Sequence, residues 1–136
     1  MADTFQLEIV TPEKKVVDAP AEEAQIPGKN GYLGILPGHA PLITELAVGQ
    51  ISFRSDAHEE HLAVAWGFAG VLPDKVTILA ETAERPSEID VNRARQAKER
   101  AEQRLASGNT EVDVQRALDA LRRAEVRLEV AAHARS

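Results

Sequence analysis

At 136 residues, with a formal net charge of −6 and no cysteine, the chain has the size of one main domain with room for a small appendage. The missing cysteines exclude a disulfide framework and thiolate chemistry, and the acidic balance argues against a general phosphate-backbone binder, which needs clustered, uncompensated Lys and Arg. The N-terminal MADTFQLEIV has no basic stretch followed by an apolar run of signal length, and no window approaches the roughly 18 apolar residues of a membrane span, so any membrane association is expected through another protein.

Composition changes abruptly near position 88. Every proline (12, 20, 27, 37, 41, 73 and 86) and every aromatic residue (Phe5, Tyr32, Phe53, Trp66 and Phe68) precedes it. Residues 1–87 hold 6 Lys and Arg against 13 Asp and Glu, a net of −7, whereas residues 88–136 hold 10 against 9, a net of +1. Two domains are expected, 1–87 and 88–136, with the acidity in the first.

In the first domain Phe5, Leu7 and Ile9 alternate with polar residues, as do Ile51 and Phe53, then Leu62, Val64 and Trp66, and later Val76 and Ile78. Each alternation predicts a strand with one buried face. Turn signals lie between them, at Pro27-Gly28-Lys29-Asn30-Gly31, Pro37-Gly38, Ser55-Asp56-Ala57-His58 and Pro73-Asp74-Lys75, as in hairpin-connected β structure. Strands with one wet face suit antiparallel sheets, and a two-sheet sandwich buries them most simply.

After position 88 the apolar period becomes helical. Ala94, Ala97, Ala101 and Leu105 recur at three and four residues, and Val114, Ala117, Leu118, Leu121, Ala124, Leu128 and Ala132 do so again after a break. Ser87 before Glu88-Ile89-Asp90 reads as a capping pattern, Gly108 and Asn109 tolerate positive φ, and Thr110 with Asp113 offers a second cap. The predicted fold is α+β, an N-terminal antiparallel β-sandwich followed by a C-terminal α-helical hairpin. Because alanine buries little area, the hairpin should be marginally stable alone. A ligand or partner contributing a few kcal/mol would then decide whether it is docked or free.

On a helical wheel Asp90, Arg93, Ala97, Arg100 and Arg104 share one narrow sector, and Arg116, Ala120, Arg123 and Arg127 form a second row. A solvated charged face is the plain reading. Arginine sharpens it: every cation after position 87 except Lys98 is arginine, and the guanidinium fork grips phosphate or carboxylate bidentately and stacks on flat rings. An anionic ligand or an acidic partner surface is expected. His58-Glu59-Glu60-His61 resembles a metal motif only superficially, since its histidines are three apart and strand alternation sends them to opposite faces. His39, in the proline-bracketed Leu36-Pro37-Gly38-His39-Ala40-Pro41-Leu42, sits on a fixed loop of the kind that carries contact residues. The chain has no Walker-type or G-x-G-x-x-G loop, so a bound nucleotide would be sensed with no sign of hydrolysis. Glu8, Glu22, Glu23 and Glu45 are the carboxylates available for an acid–base pair, but nothing in the sequence brings two of them together.

Four stretches then resemble the ε subunits of rotary F-type ATP synthases. They are Gly31-Tyr32-Leu33-Gly34-Ile35-Leu36-Pro37-Gly38-His39-Ala40-Pro41-Leu42, Trp66-Gly67-Phe68, Val76-Thr77-Ile78-Leu79-Ala80-Glu81-Thr82-Ala83-Glu84 and Ile89-Asp90-Val91-Asn92-Arg93-Ala94. The resemblance implies a non-catalytic central-stalk subunit at the cytoplasmic face of the bacterial inner membrane, coupling proton-driven c-ring rotation to ATP synthesis. It implies c-ring contact through Asn30, Gly31, Tyr32 and Leu33, with Tyr32 standing where many relatives have an acidic residue, and γ-subunit contact near His39. It further implies that the hairpin can extend into the α/β catalytic head and inhibit ATP hydrolysis. No cofactor is required, but ATP is implied as a regulatory ligand of the compact state, held by Glu84, Ile89, Asp90, Arg93, Ala94, Arg100, Arg123 and Arg127. Two other readings are an autonomous module whose arginine hairpin grips a polyanion such as RNA, and a β-sandwich enzyme with a helical tail.

Overall fold

The computed structural model describes residues 3–108 and 113–135. Asn109 and Thr110, expected to help turn and cap the hairpin, lie outside the described residues. The strands are β1 (Phe5–Val10), β2 (Lys15–Ala21), β3 (Glu23–Gly28), β4 (Gly31–Ile35), β5 (Leu42–Leu46), β6 (Gly49–Ser55), β7 (His58–Val71) and β8 (Lys75–Glu84). A 3-10 turn at Pro86–Glu88 leads to α1 (Val91–Ala106) and α2 (Val114–Ala131), and a second such turn, Ala132–Arg135, follows.

The strands hydrogen-bond in the order β2-β1-β8-β7-β5-β3-β4, with β6 joining β3 to β7. The long β7 pairs with β6 through its first half and with β5 through its second, so one strand serves both layers. Pairing is antiparallel except between β1 and β8, which run parallel. That exception was not expected from hairpin spacing. Parallel neighbours need a long connection, and here nearly the whole domain intervenes.

The core of the sandwich contains Phe5, Leu7, Ile9, Ile51, Phe53, Leu62, Val64, Val76 and Ile78, all nearly inaccessible. The alternation predicted for β7 fails at Trp66. Leu62 and Val64 point inward before it, but Ala69 and Val71 do so after it, because Trp66 (φ 48°) and Gly67 (φ 134°) break the pleat. Only glycine fits at 67, since a Cβ there would lie 1.8 Å from the carbonyl oxygen of Leu79. Trp66 is thereby turned out of the core toward the hairpin.

The outer face of β7 is covered as well. Ala63 packs with Ile89, Val126, Val130 and Ala131 in a second, smaller apolar cluster that docks α2 on the sheet. The predicted α2 stripe is therefore half of the story: Ala117 and Ala124 are buried, but Val114, Leu118 and Ala132 are exposed. A second face, Val126 and Val130, meets the sandwich. It escapes notice in the sequence because two valines one turn apart form no sustained period.

The helix starts also differ from expectation. Asp90, not Ser87, caps α1 by accepting a hydrogen bond from the Arg93 amide at 3.1 Å, and Asp113 caps α2 through the Arg116 amide at 3.1 Å. Ser87 lies in the preceding 3-10 turn, where the Glu88 carboxylate accepts from the Arg85 amide at 2.8 Å. Gly108 has the expected positive φ of 67°.

Candidate functional site

The two arginine rows meet across the seam of the hairpin. Alanines 97 and 101 on α1 and 117, 120 and 124 on α2 form the floor of a cleft of about 240 Å³, and Arg100, Arg104, Arg123 and Arg127 form its walls. Small residues let the helices approach, while the long arginine stems lie along the apolar floor and carry their charge to the rim. Arg100, Arg104 and Arg123, with Arg127 shared between the cleft and Glu84, make this an anion-attracting site.

Two of these arginines also reach the sandwich. Arg127 Nε donates to Glu84 Oε1 at 2.6 Å, and the Arg123 guanidinium carbon lies 5.1 Å from the centre of the Trp66 ring. With Glu84, Ala63, Ala65 and Thr82 they line a narrow notch between α2 and the sheet. Each side chain of the Arg127–Glu84 pair is about one-third exposed, so the pair contributes on the order of 1 kcal/mol to docking, and the cation–π contact roughly 0.5–1 kcal/mol. The outward turn at Gly67 thus has a local consequence, because it gives Arg123 an aromatic face.

Of the residues expected to hold a nucleotide, Glu84, Arg100, Arg123 and Arg127 come together at the cleft and its neighbouring notch. Ile89, Asp90, Arg93 and Ala94 cluster at the start of α1 and do not line the cleft. Ile89 is buried in the docking cluster, Ala94 is buried, Asp90 is engaged as the cap, and Arg93 is exposed. Arg104 lines the cleft although the expected ligand set omits it. Its signal was its place one turn beyond Arg100 in the same row.

The other expected contacts lie on the sandwich. Asn30 and Gly31 form the tip of the β3–β4 hairpin, where Lys29 Nζ meets Glu45 Oε2 at 2.9 Å. Tyr32 is half exposed, but its hydroxyl accepts from the Gln50 amide at 2.9 Å, tying β4 to β6. Leu33 packs partly against the core. His39 follows the turn made by Gly38 (φ 85°), and its Nδ1 lies 2.7 Å from the Ala40 carbonyl oxygen.

The four candidate carboxylates are all paired with cations. Glu8 meets Lys15 and Lys75 at 3.1 and 2.8 Å, Glu22 and Glu23 share Arg54, and Glu45 holds Lys29. His58 and His61 both lie on β7, and no group of metal-ligating side chains occurs among the described residues. A groove of about 420 Å³ beside β3, β4 and β6 is larger than the arginine cleft, yet the one cation lining it, Arg54, is already held by Glu22 and Glu23. Chemistry rather than volume selects the cleft between the helices.

Comparison with known proteins agrees with this architecture. Residues 4–86 match the family described as the ATP synthase delta/epsilon chain β-sandwich domain, and residues 87–132 match the long α-helix domain of the same chain. The chain belongs to the ATP synthase delta/epsilon family. The ATP synthase epsilon chain of Koribacter versatilis is 71% identical over 136 residues, covering 100% of this chain and 96% of that one. That of Moorella thermoacetica is 54% identical over 103 residues, 75% of this chain and 77% of its own. A chain in the cryo-EM structure of the Euglena gracilis mitochondrial ATP synthase superposes with a TM-score of 0.82 at 25% identity, covering 96% of this chain and 82% of that chain. A chain from the Tetrahymena thermophila mitochondrial ATP synthase central stalk and c-ring shares the fold, at a TM-score of 0.55 and 13% identity over 97% of this chain and 96% of its own. As an epsilon-type chain this protein is a non-catalytic subunit of the F-type ATP synthase, and none of its helices is long and apolar enough to cross a membrane among the described residues.

Proposed function

We propose that the chain is the central-stalk rotor subunit in which residues 1–87 couple c-ring rotation to the catalytic head and residues 88–136 regulate it. The sandwich clamps the γ subunit near His39 and rests on the c-ring through Asn30, Gly31, Tyr32 and Leu33, at the cytoplasmic face of the bacterial inner membrane. The hairpin has two states. Docked, it leaves hydrolysis free; extended into the α/β head, its arginines meet acidic surfaces and restrain hydrolysis. ATP is the ligand of the docked state, its phosphates on Arg100, Arg123 and Arg127 and its base end toward Glu84, Ile89, Asp90, Arg93 and Ala94.

The observation that carries this reading is that Arg123 and Arg127 belong both to the anion-attracting cleft and to the contact with the sandwich. A ligand gathered by those arginines acts on the same side chains that hold the hairpin down. Binding only to the docked state would stabilise it by about 2.7 kcal/mol at a hundredfold excess over Kd, comparable to the docking contacts themselves. Polyanion gripping by the free hairpin is less favoured, because Trp66 and Glu84 already engage two of its arginines.

Calorimetry on the full chain tests the ligand. Millimolar ATP should bind, and Arg100→Ala or Arg123→Ala should weaken binding about tenfold, the worth of one charge-assisted hydrogen bond. An absence of binding, or binding indifferent to both substitutions, removes the nucleotide from the account. Co-purification tests the assembly: γ should accompany the chain from solubilised membranes, and deletion of residues 88–136 should leave assembly intact while raising hydrolysis.

A further inference from the structure

The hairpin meets the sandwich at a second contact, just beyond the C-terminal end of the arginine row on α2. His61 of β7 and His133 of the terminal 3-10 turn stack face to face, with ring centroids 3.5 Å apart and planes 5° from parallel. They border a shallow cavity of about 290 Å³ with Glu59, Glu60 and Arg85. The His61 side chain is only 13% exposed, and its Nδ1 is buried without a hydrogen-bond partner among the described residues.

Such a stack suits two neutral rings. A proton on Nδ1 of His61 would place a charged donor in a buried position with no acceptor, and protons on both rings would press two cations together. Burial first, and then the nearby His133, hold His61 below the ordinary histidine pKa, while Glu59 pulls it the other way.

Among the described residues, the charged groups near His61 are largely compensated. On β7, Glu59 Oε1 lies 3.8 Å from His61 Nε2, Glu60 is paired with Arg85 at 3.1 Å, and His58 is exposed at the strand start. On β6, Ser52 lies opposite His61, and Arg54 is held by Glu22 and Glu23. From the 3-10 turn before α1, Glu88 is engaged by the Arg85 amide and Lys14. At the end of α2, Arg127 is paired with Glu84 and Glu129 with Arg122. Among the described residues, Glu59 is the carboxylate placed to favour a charged His61, and it is mostly exposed.

We propose that the His61–His133 stack is an acid-labile latch, closing the end of the hairpin onto the sandwich when the buried His61 ring is neutral and releasing it as His61 takes up a proton. The sign follows from the lowered folded value: docking is fully supported above the unfolded histidine pKa of about 6.5 and is lost as pH falls through the folded value of His61. The release constant then rises by up to about tenfold per pH unit as that one proton is taken up. Its effect on the enzyme rests on the regulatory reading above, under which acidification would favour restraint of hydrolysis; the release itself does not depend on that reading.

The full-length chain suffices for the test, because Trp66 is its only tryptophan and touches Arg123 of α2. Between pH 7.5 and 5.5 its emission should shift to the red as the hairpin departs, and His133→Gln should abolish most of that shift. In the same variant, NMR of the imidazole protons should show the His61 pKa rising toward the ordinary value; His61→Gln should remove the shift from the other side. An emission profile that is flat in the parent chain, or identical in all three proteins, overturns the latch, as does an unchanged His61 titration in His133→Gln. In the assembled enzyme, hydrolysis should fall more between pH 7.5 and 6 with the parent chain than with His133→Gln. Equal falls alongside a working latch in the isolated chain would support the latch and overturn the regulatory reading alone.

Discussion

Val130→Ala separates the hairpin from the sandwich energetically. Val130 is fully buried in the docking cluster, whose other branched members are Val126 and Ile89. Three such side chains bury a gross of about 5–9 kcal/mol, much of it offset by the ordering of two helices on the sheet. Removing two carbons from Val130 forfeits about 1.6 kcal/mol, which raises the undocked population roughly 15-fold. Alanine is the better helix former by up to about 0.7 kcal/mol, so α2 itself is not weakened. The assay is amide hydrogen exchange on the full chain, reading α2 against β7 and β8. Exchange along α2 should accelerate about tenfold or more, while Leu62, Val64, Ile78 and the rest of the sandwich core keep their protection and far-UV circular dichroism is unchanged. Equal acceleration in helix and sheet would mean that the two unfold as one unit, and the reasoning would be refuted.

Three further outcomes follow from the geometry. Gly67→Ala forces a Cβ against the Leu79 carbonyl at a φ of 134°, and should lower the unfolding free energy by about 3 kcal/mol or more in urea titrations, through disruption of the β7–β8 pair. Glu8 is held below the usual carboxylate range by hydrogen bonds from Lys75 and then Lys15. It therefore supports the fold above the ordinary carboxylate value and ceases to as pH falls through its lowered one, so Glu8→Gln should flatten the acid limb of the stability profile. Asp90→Asn should preserve α1, because asparagine caps as well as aspartate, whereas Asp90→Ala should cost about 1 kcal/mol in thermal melts.

Much of this architecture is legible in the sequence, and the exceptions share a cause. The inward positions of β1, β6 and β8 and the alanine seam of the hairpin follow from period alone, because each is a repeated local choice. Trp66 breaks its pattern through a backbone twist imposed by the residue after it, and alternation cannot register a change of φ. Val126, Val130 and Ala63 are buried by a contact between distant segments, so their burial appears in no local window. The cleft was half visible: the two arginine rows predicted a charged surface, and Arg104 stood in one of them, but only folding shows that the rows face each other. Asp90, implied as a ligand by resemblance, also caps α1, a role that its position before a helix explains.

The central claim is that a weakly held hairpin moves on a rigid sandwich in response to nucleotide. The absence of native cysteine allows a clean pair of dyes, one at Ala57→Cys in the β6–β7 turn and one at Leu118→Cys on the exposed side of α2, in the chain assembled with its enzyme. Energy transfer should be high with millimolar ATP and fall within the same molecules when ATP is withdrawn. Transfer that stays constant through cycles of ATP addition and removal would contradict the account.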